Sequence, residues 1–100
     1  VLHSAALPIM ERAIELAQTG IIPGGAYRNW DYAKPHTTVQ GQVPQHLLDI
    51  MADPQTSGGL LVALPERDAV ALAHQLQENG MTGAIVGQVL PKNEQALLVE

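Results

Sequence analysis

Cysteine is absent from the 100 residues, and so is phenylalanine. Without cysteine there is no disulfide frame, no thiolate nucleophile and no cysteine-type zinc site. The same absence fits a cytoplasmic protein. Without phenylalanine, and with aromatics at only 3%, a core must be assembled from Leu, Val, Ile, Ala and Met. Basic residues are scarce: 5 Lys and Arg stand against 10 Asp and Glu, for a net charge of −5. A nucleic-acid footprint needs clustered Lys and Arg, so no nucleic-acid partner is expected. No apolar run approaches the roughly 20 residues that span a bilayer, and no membrane partner is expected. The start has neither the basic region nor the long apolar segment of a secretory signal. The chain opens Val1-Leu2-His3 without methionine and is read as a piece of a longer protein.

Apolar residues make up 46% of the chain, enough for the core of one domain or part of one. Leu7, Met10, Ala13, Ile14 and Ala17 fall on one helical face, with Glu11, Arg12, Glu15 and Gln18 opposite, so a helix is predicted over about 8–19. Pro8 suits its first turn and Gly20 its end. Pro23-Gly24-Gly25 reads as a turn, because glycine reaches positive φ at little cost. From Tyr27 to Gly41 no period is visible. Tyr27, Trp30 and Tyr32 are all the aromatics of the chain; they read either as cover for one edge of the core or as a contact surface.

Pro44–Met51 reads as a short helix that Asp53-Pro54 terminates, since a residue before proline is pushed out of the α region. Leu60–Leu64 is an apolar run between Gly-Gly and Pro, the pattern of a strand buried on both faces. Glu66-Arg67-Asp68 opens a helix with acidic groups at its positive end. Ala69, Leu72, Ala73 and Leu76 form its inner stripe, and Gly80 its stop. Ala84–Leu90 reads as a second strand, Pro91–Gln95 as a turn and Ala96–Val99 as a third strand. The helix between the first two strands predicts a parallel crossover, and the short link between the last two an antiparallel hairpin. The fold class is therefore α+β, a small mixed sheet with packed helices.

Candidate chemistry is sparse. Thr56-Ser57-Gly58-Gly59 offers hydroxyls and backbone N–H groups to an anion. Phosphate loops, however, lead into a helix, and this one leads into a predicted strand with no lysine after it. A tight turn feeding the strand is the competing reading. The histidines His3, His36, His46 and His74 show no metal-ligand spacing, and no His-Glu-x-x-His is present. Asp49 and Asp53 flank the end of the short helix; they read either as Mg²⁺ ligands or, for Asp53, as an acceptor for the Gln55 or Thr56 amide in an Asx-type turn. Serine 4 and serine 57 belong to no hydrolase motif.

The run Asp53-Pro54-Gln55-Thr56-Ser57-Gly58-Gly59-Leu60-Leu61-Val62-Ala63-Leu64-Pro65 closely resembles the C-terminal region of the selenophosphate synthetase (selenide, water dikinase) family. Gly20–Gly25 followed by Arg28-Asn29, and Gly83–Val89, agree with that family in order and spacing. The resemblance implies the C-terminal α/β/α domain of the aminoimidazole ribonucleotide synthetase-like superfamily. It implies a full-length enzyme that converts ATP, selenide and water to selenophosphate, AMP and phosphate with Mg²⁺, usually as a homodimer. The family's reactive Cys or selenocysteine with its Lys, its glycine-rich nucleotide loop and its metal-binding Asp residues lie upstream of the matched region. No catalytic or metal-ligating residue is therefore carried onto this chain, which alone is expected to be inactive and to bind neither Mg²⁺ nor ATP. Thr56 and Ser57, then Arg28 and Asn29, are the residues expected nearest a ligand. Two other readings remain open: a self-association domain using Tyr27–Tyr32 and a sheet edge, and another ATP-dependent enzyme of the same superfamily.

Overall fold

The computed structural model describes residues 1–92 and 94–100. Among these residues four helices form: α1 (Glu11–Gln18), α2 (Gly24–Ala33), α3 (Gln45–Met51) and α4 (Glu66–Glu78). Short 3-10 turns occupy Ser4–Ala6 and Lys34–His36. Two strands, β1 (Thr37–Val39) and β2 (Leu97–Val99), pair in parallel with Thr37 opposite Leu97 and Val39 opposite Val99. The fold is mixed α+β, as the sequence pattern predicts.

The predicted first helix starts later than its apolar stripe, at Glu11, because Met10 is extended at ψ 130. Gly20 at φ +80 ends it in the left-handed conformation expected of a helix stop. Pro23-Gly24-Gly25 is a helix start and not a turn. Pro23 takes the N-cap position and its carbonyl accepts the Ala26 N–H at 2.9 Å. The segment without visible period thus begins inside a ten-residue helix. Its aromatics split: Trp30 is half-buried while Tyr27 and Tyr32 are exposed. α3 follows Pro44 as expected, and α1 and α2 both pack on it. α4 has Glu66 and Asp68 in its first turn, and Gly80 follows it at φ +71.

The sheet differs most from expectation. Leu60–Leu64 is not a strand: it has no secondary structure, and Leu60 is 91% exposed. A strand needs a hydrogen-bonded neighbour, and no backbone–backbone bond involves residues 56–64 among the described residues. The crossover from this run to Ala84–Leu90 is accordingly not formed. Within Ala84–Leu90 only Gly87 forms a bridge, antiparallel to Leu2. The predicted hairpin between this segment and β2 is replaced by an insertion. Leu2 also bridges Val99 in parallel, so residues 1–4 run between the two. Leu2 N–H donates to the Leu98 carbonyl at 2.7 Å and Ser4 N–H to the Glu100 carbonyl at 2.6 Å. On the other side, His3 N–H donates to the Val86 carbonyl at 2.9 Å and Gln88 N–H to the Val1 carbonyl at 3.0 Å. The predicted turn Pro91–Gln95 includes Asn93, which lies outside the described residues.

The buried core is small. Ala17, Ala26, Leu48 and Val99 are its apolar members among the described residues, joined by Ser4. Val99 alone is sealed completely. It sits where β2 meets β1 on one side and Leu2 on the other.

Candidate functional site

Two of the distinctive stretches of sequence meet in space. Gly25, in the first turn of α2, lies against the Pro54 ring; a β-carbon there would stand 2.5 Å from Pro54 Cγ. One turn further along α2, Asn29 Nδ2 donates to the Ala52 carbonyl at 2.9 Å. That carbonyl stands just past the end of α3, so the bond ties the end of α3 to the side of α2. The absent side chain at Gly25 and the reaching side chain at Asn29 set the separation of the two elements.

Beyond Ala52 the chain turns within a few residues. Asp53 N–H donates to the Ile50 carbonyl at 3.1 Å, and Gln55 N–H donates to the Asp53 carbonyl at 2.9 Å. The Gln55 amide is thus taken by the main chain of Asp53, whereas one of the two readings of Asp53 gave it, or the Thr56 amide, to the carboxylate in an Asx-type turn. Ser57 adopts φ 56, the sole non-glycine positive φ among the described residues. The turn's left-handed position therefore falls on the serine, and neither Gly58 nor Gly59 adopts positive φ.

Between α1, α3 and these turns lies a cleft of about 450 Å³. Leu16, Ile22 and Ile50 give it apolar walls, and Asp49, Asp53 and Gln55 line it with polar groups. Asp49 Oδ1 accepts a hydrogen bond from Gln45 Nε2 at 2.9 Å. Asp49 and Asp53, adjacent to one helix end in sequence, thus share one cleft. No Ser, Thr, Cys, His or Lys is among the residues that line the cleft.

Thr56 and Ser57 are exposed in the turn beyond this cleft, and neither lines it. Arg28 is exposed on α2 and, among the described residues, pairs with no carboxylate. Asn29 is engaged with Ala52. The histidines are dispersed. His3 Nδ1 contacts Glu100 Oε1 at 2.9 Å, and His74 Nδ1 contacts Glu78 Oε1 at 3.4 Å. Among the described residues no three His, Asp or Glu side chains gather where a metal ion could sit. The contact of Gly25 with Pro54 was not evident from sequence. Both residues stand out as conformational markers, but their meeting depends on how α2 packs on α3.

No protein-family model matches the chain. Individual proteins do. Selenide, water dikinase 2 of Peptoclostridium acidaminophilum is 46% identical over 99 residues, which is 98% of this chain and 28% of the relative. Selenide, water dikinase of Clostridioides difficile (strain 630) is 43% identical over 99 residues, again 98% and 28%. Selenide, water dikinase of Clostridium botulinum (strain Eklund 17B / Type B) is 38% identical over 99 residues, 99% of this chain and 29% of the relative. The chain spans under a third of the length of these curated relatives. With the Gly20–Asn29 and Asp53–Pro65 stretches drawn together in one structure, and with the match covering 98–99% of its residues, the chain is a homologue of the selenide, water dikinases, matching a segment of those enzymes.

Proposed function

We propose that this chain is the distal part of the C-terminal domain of a selenide, water dikinase, which makes selenophosphate, AMP and phosphate from ATP, selenide and water. The observation that carries the reading is the 46% identity to the Peptoclostridium acidaminophilum protein over 98% of the chain. In this proposal the enzyme is a cytoplasmic homodimer that uses Mg²⁺. Among the described residues no three His, Asp or Glu side chains gather as a metal site, which supports a reading with the metal elsewhere in the enzyme. The metal, the nucleotide phosphates and the phosphoryl transfer then belong to the rest of the enzyme. The 100 residues alone do not turn over.

The part played by this segment is to shape one wall of the substrate cleft. Packing of α2 and α3 fixes the turn Asp53–Gly59, from which the Thr56 and Ser57 hydroxyls and, on α2, Arg28 reach a ligand. Asn29 holds the turn's base. The test is a chimera in which this chain replaces the matched 99 residues of the Peptoclostridium acidaminophilum enzyme. Selenide-dependent formation of AMP from ATP is expected. A folded chimera without that activity overturns the reading. Within an active chimera, Thr56→Ala with Ser57→Ala is expected to raise KM for ATP or lower kcat by about tenfold, the size of one or two lost hydrogen bonds. Unchanged kinetics make both residues parts of the turn only.

A further inference from the structure

Thr56 and Ser57 are the central pair of a four-residue turn, Gln55–Gly58, and Ser57, its third residue, adopts φ 56. Glycine or asparagine ordinarily supplies positive φ at that place, and a serine held there carries strain that its surroundings must sustain. Gly58, one residue on, could take the conformation at little cost but does not. What Gly58 gives the turn is room. A β-carbon at Gly58 would stand 3.0 Å from Gln55 Oε1 and 3.3 Å from Gln55 Cβ. The Gln55 side chain therefore lies over a bare α-carbon and closes the turn from its first residue to its last. Gln55 is itself fixed from behind. Its N–H donates to the Asp53 carbonyl at 2.9 Å, the Pro54 ring before it rests on Gly25 of α2, and the Ala52 carbonyl is held by Asn29. A set of contacts thus runs from α2 through residues 52–55 to Gly58, with Thr56 and Ser57 between its last two members.

We propose that Gln55 is a positioning residue: lying across Gly58, its side chain holds Ser57 left-handed and so fixes where the Thr56 and Ser57 hydroxyls stand. This rests on the functional reading above, in which those hydroxyls reach a ligand. All the contacts concerned are made within residues 25–58. The Gln55 amide is neither a nucleophile nor a titratable group, so its part is geometric. A misplacement of about 1 Å costs a reaction up to about 100-fold, and a strained pair of residues loses its brace once the side chain over Gly58 is gone.

The test uses the chimera described above. Gln55→Ala is expected to lower kcat/KM for ATP about tenfold. Gln55→Met, whose side chain can lie over Gly58 as glutamine does, is expected to stay within about twofold of the parent. Gly58→Ala pushes the Gln55 amide aside and is expected to reproduce the Gln55→Ala loss. Adding Gln55→Ala to Thr56→Ala with Ser57→Ala is expected to cost nothing further, because what Gln55 positions is already gone. A residue that acts through general stability, or that touches substrate itself, gives an additive loss instead. An additive loss or unchanged kinetics in Gln55→Ala overturns the proposal. So does a Gln55→Met as impaired as Gln55→Ala, which makes the amide a direct contact. Crystal structures of the chimera supply a readout free of activity: Ser57 is expected at positive φ in the parent and in Gln55→Met, and outside that region in Gln55→Ala. Ser57 unmoved in Gln55→Ala overturns the proposal. A chimera that forms no AMP, yet whose Ser57 depends on Gln55 in this way, overturns the enzymatic reading and keeps Gln55 as the brace of the turn. An active chimera whose Ser57 and kinetics ignore Gln55 does the reverse.

Discussion

Gly24 and Gly25 are neighbours in α2 with opposite surroundings. A β-carbon on Gly24 meets nothing within 4 Å, whereas one on Gly25 meets the Pro54 ring. Gly24→Ala is therefore expected to be neutral or to stabilise by up to about 1 kcal/mol through helix propensity. Gly25→Ala is expected to destabilise by about 1–3 kcal/mol, because the proline ring has little freedom to move aside and the overpacking exceeds that gain. Urea denaturation of the two variants side by side checks the sign of each. Sequence alone made these glycines equivalent, as flexible turn residues. What separates them is a contact with a residue 29 positions away, and conformational preference carries no information about it. At Ser57 the same limit applies in reverse. Glycine is the usual choice for φ 56, but the turn that Asp53 and Gln55 begin places the left-handed conformation one residue ahead of the glycines.

At the scale of elements, three of the four helices described were legible, and α2 was not, because its Pro-Gly-Gly start has the composition of a turn. α4 follows its apolar stripe, with Ala69, Leu72, Ala73 and Leu76 all half-buried, and its stop is the glycine the pattern marks. The segment after it folds back: Met81 N–H donates to the Leu76 carbonyl at 2.9 Å, and Gln77 Nε2 donates to the Gly83 carbonyl at 2.7 Å. Gly80→Ala forces a side chain into φ +71 and is expected to cost about 1–2 kcal/mol. Gly59→Ala, with open space and no positive φ, is expected to cost little; thermal melts followed at 222 nm compare them. Strands were legible only in part. The apolar run Leu60–Leu64 carries the composition of a buried strand, but composition describes one side of a pairing. Helix hydrogen bonds close within the segment itself, so periodicity suffices to predict them. Strand hydrogen bonds close elsewhere, and nothing in residues 60–64 says whether the other side is present. The role of residues 1–4 as the middle of the sheet was hidden for the same reason. At the candidate site, the turn itself was legible from Asp53-Pro54 and Gly58-Gly59, whereas its attachment to α2 through Asn29 was not.

At the scale of the whole molecule, stability is concentrated where few residues meet. Val99 is fully sealed between β1 and Leu2. Val99→Ala is expected to cost about 2 kcal/mol from lost transfer energy and the cavity left behind, a large share for a core this small, measured as a shift in the denaturation midpoint. The placement of residues 1–4 has a further consequence, in the closing of the chain on itself. Their partners lie at 86–88 and 98–100, so the sheet has no middle rung until a loop nearly as long as these 100 residues has closed, whereas the helices form from local contacts.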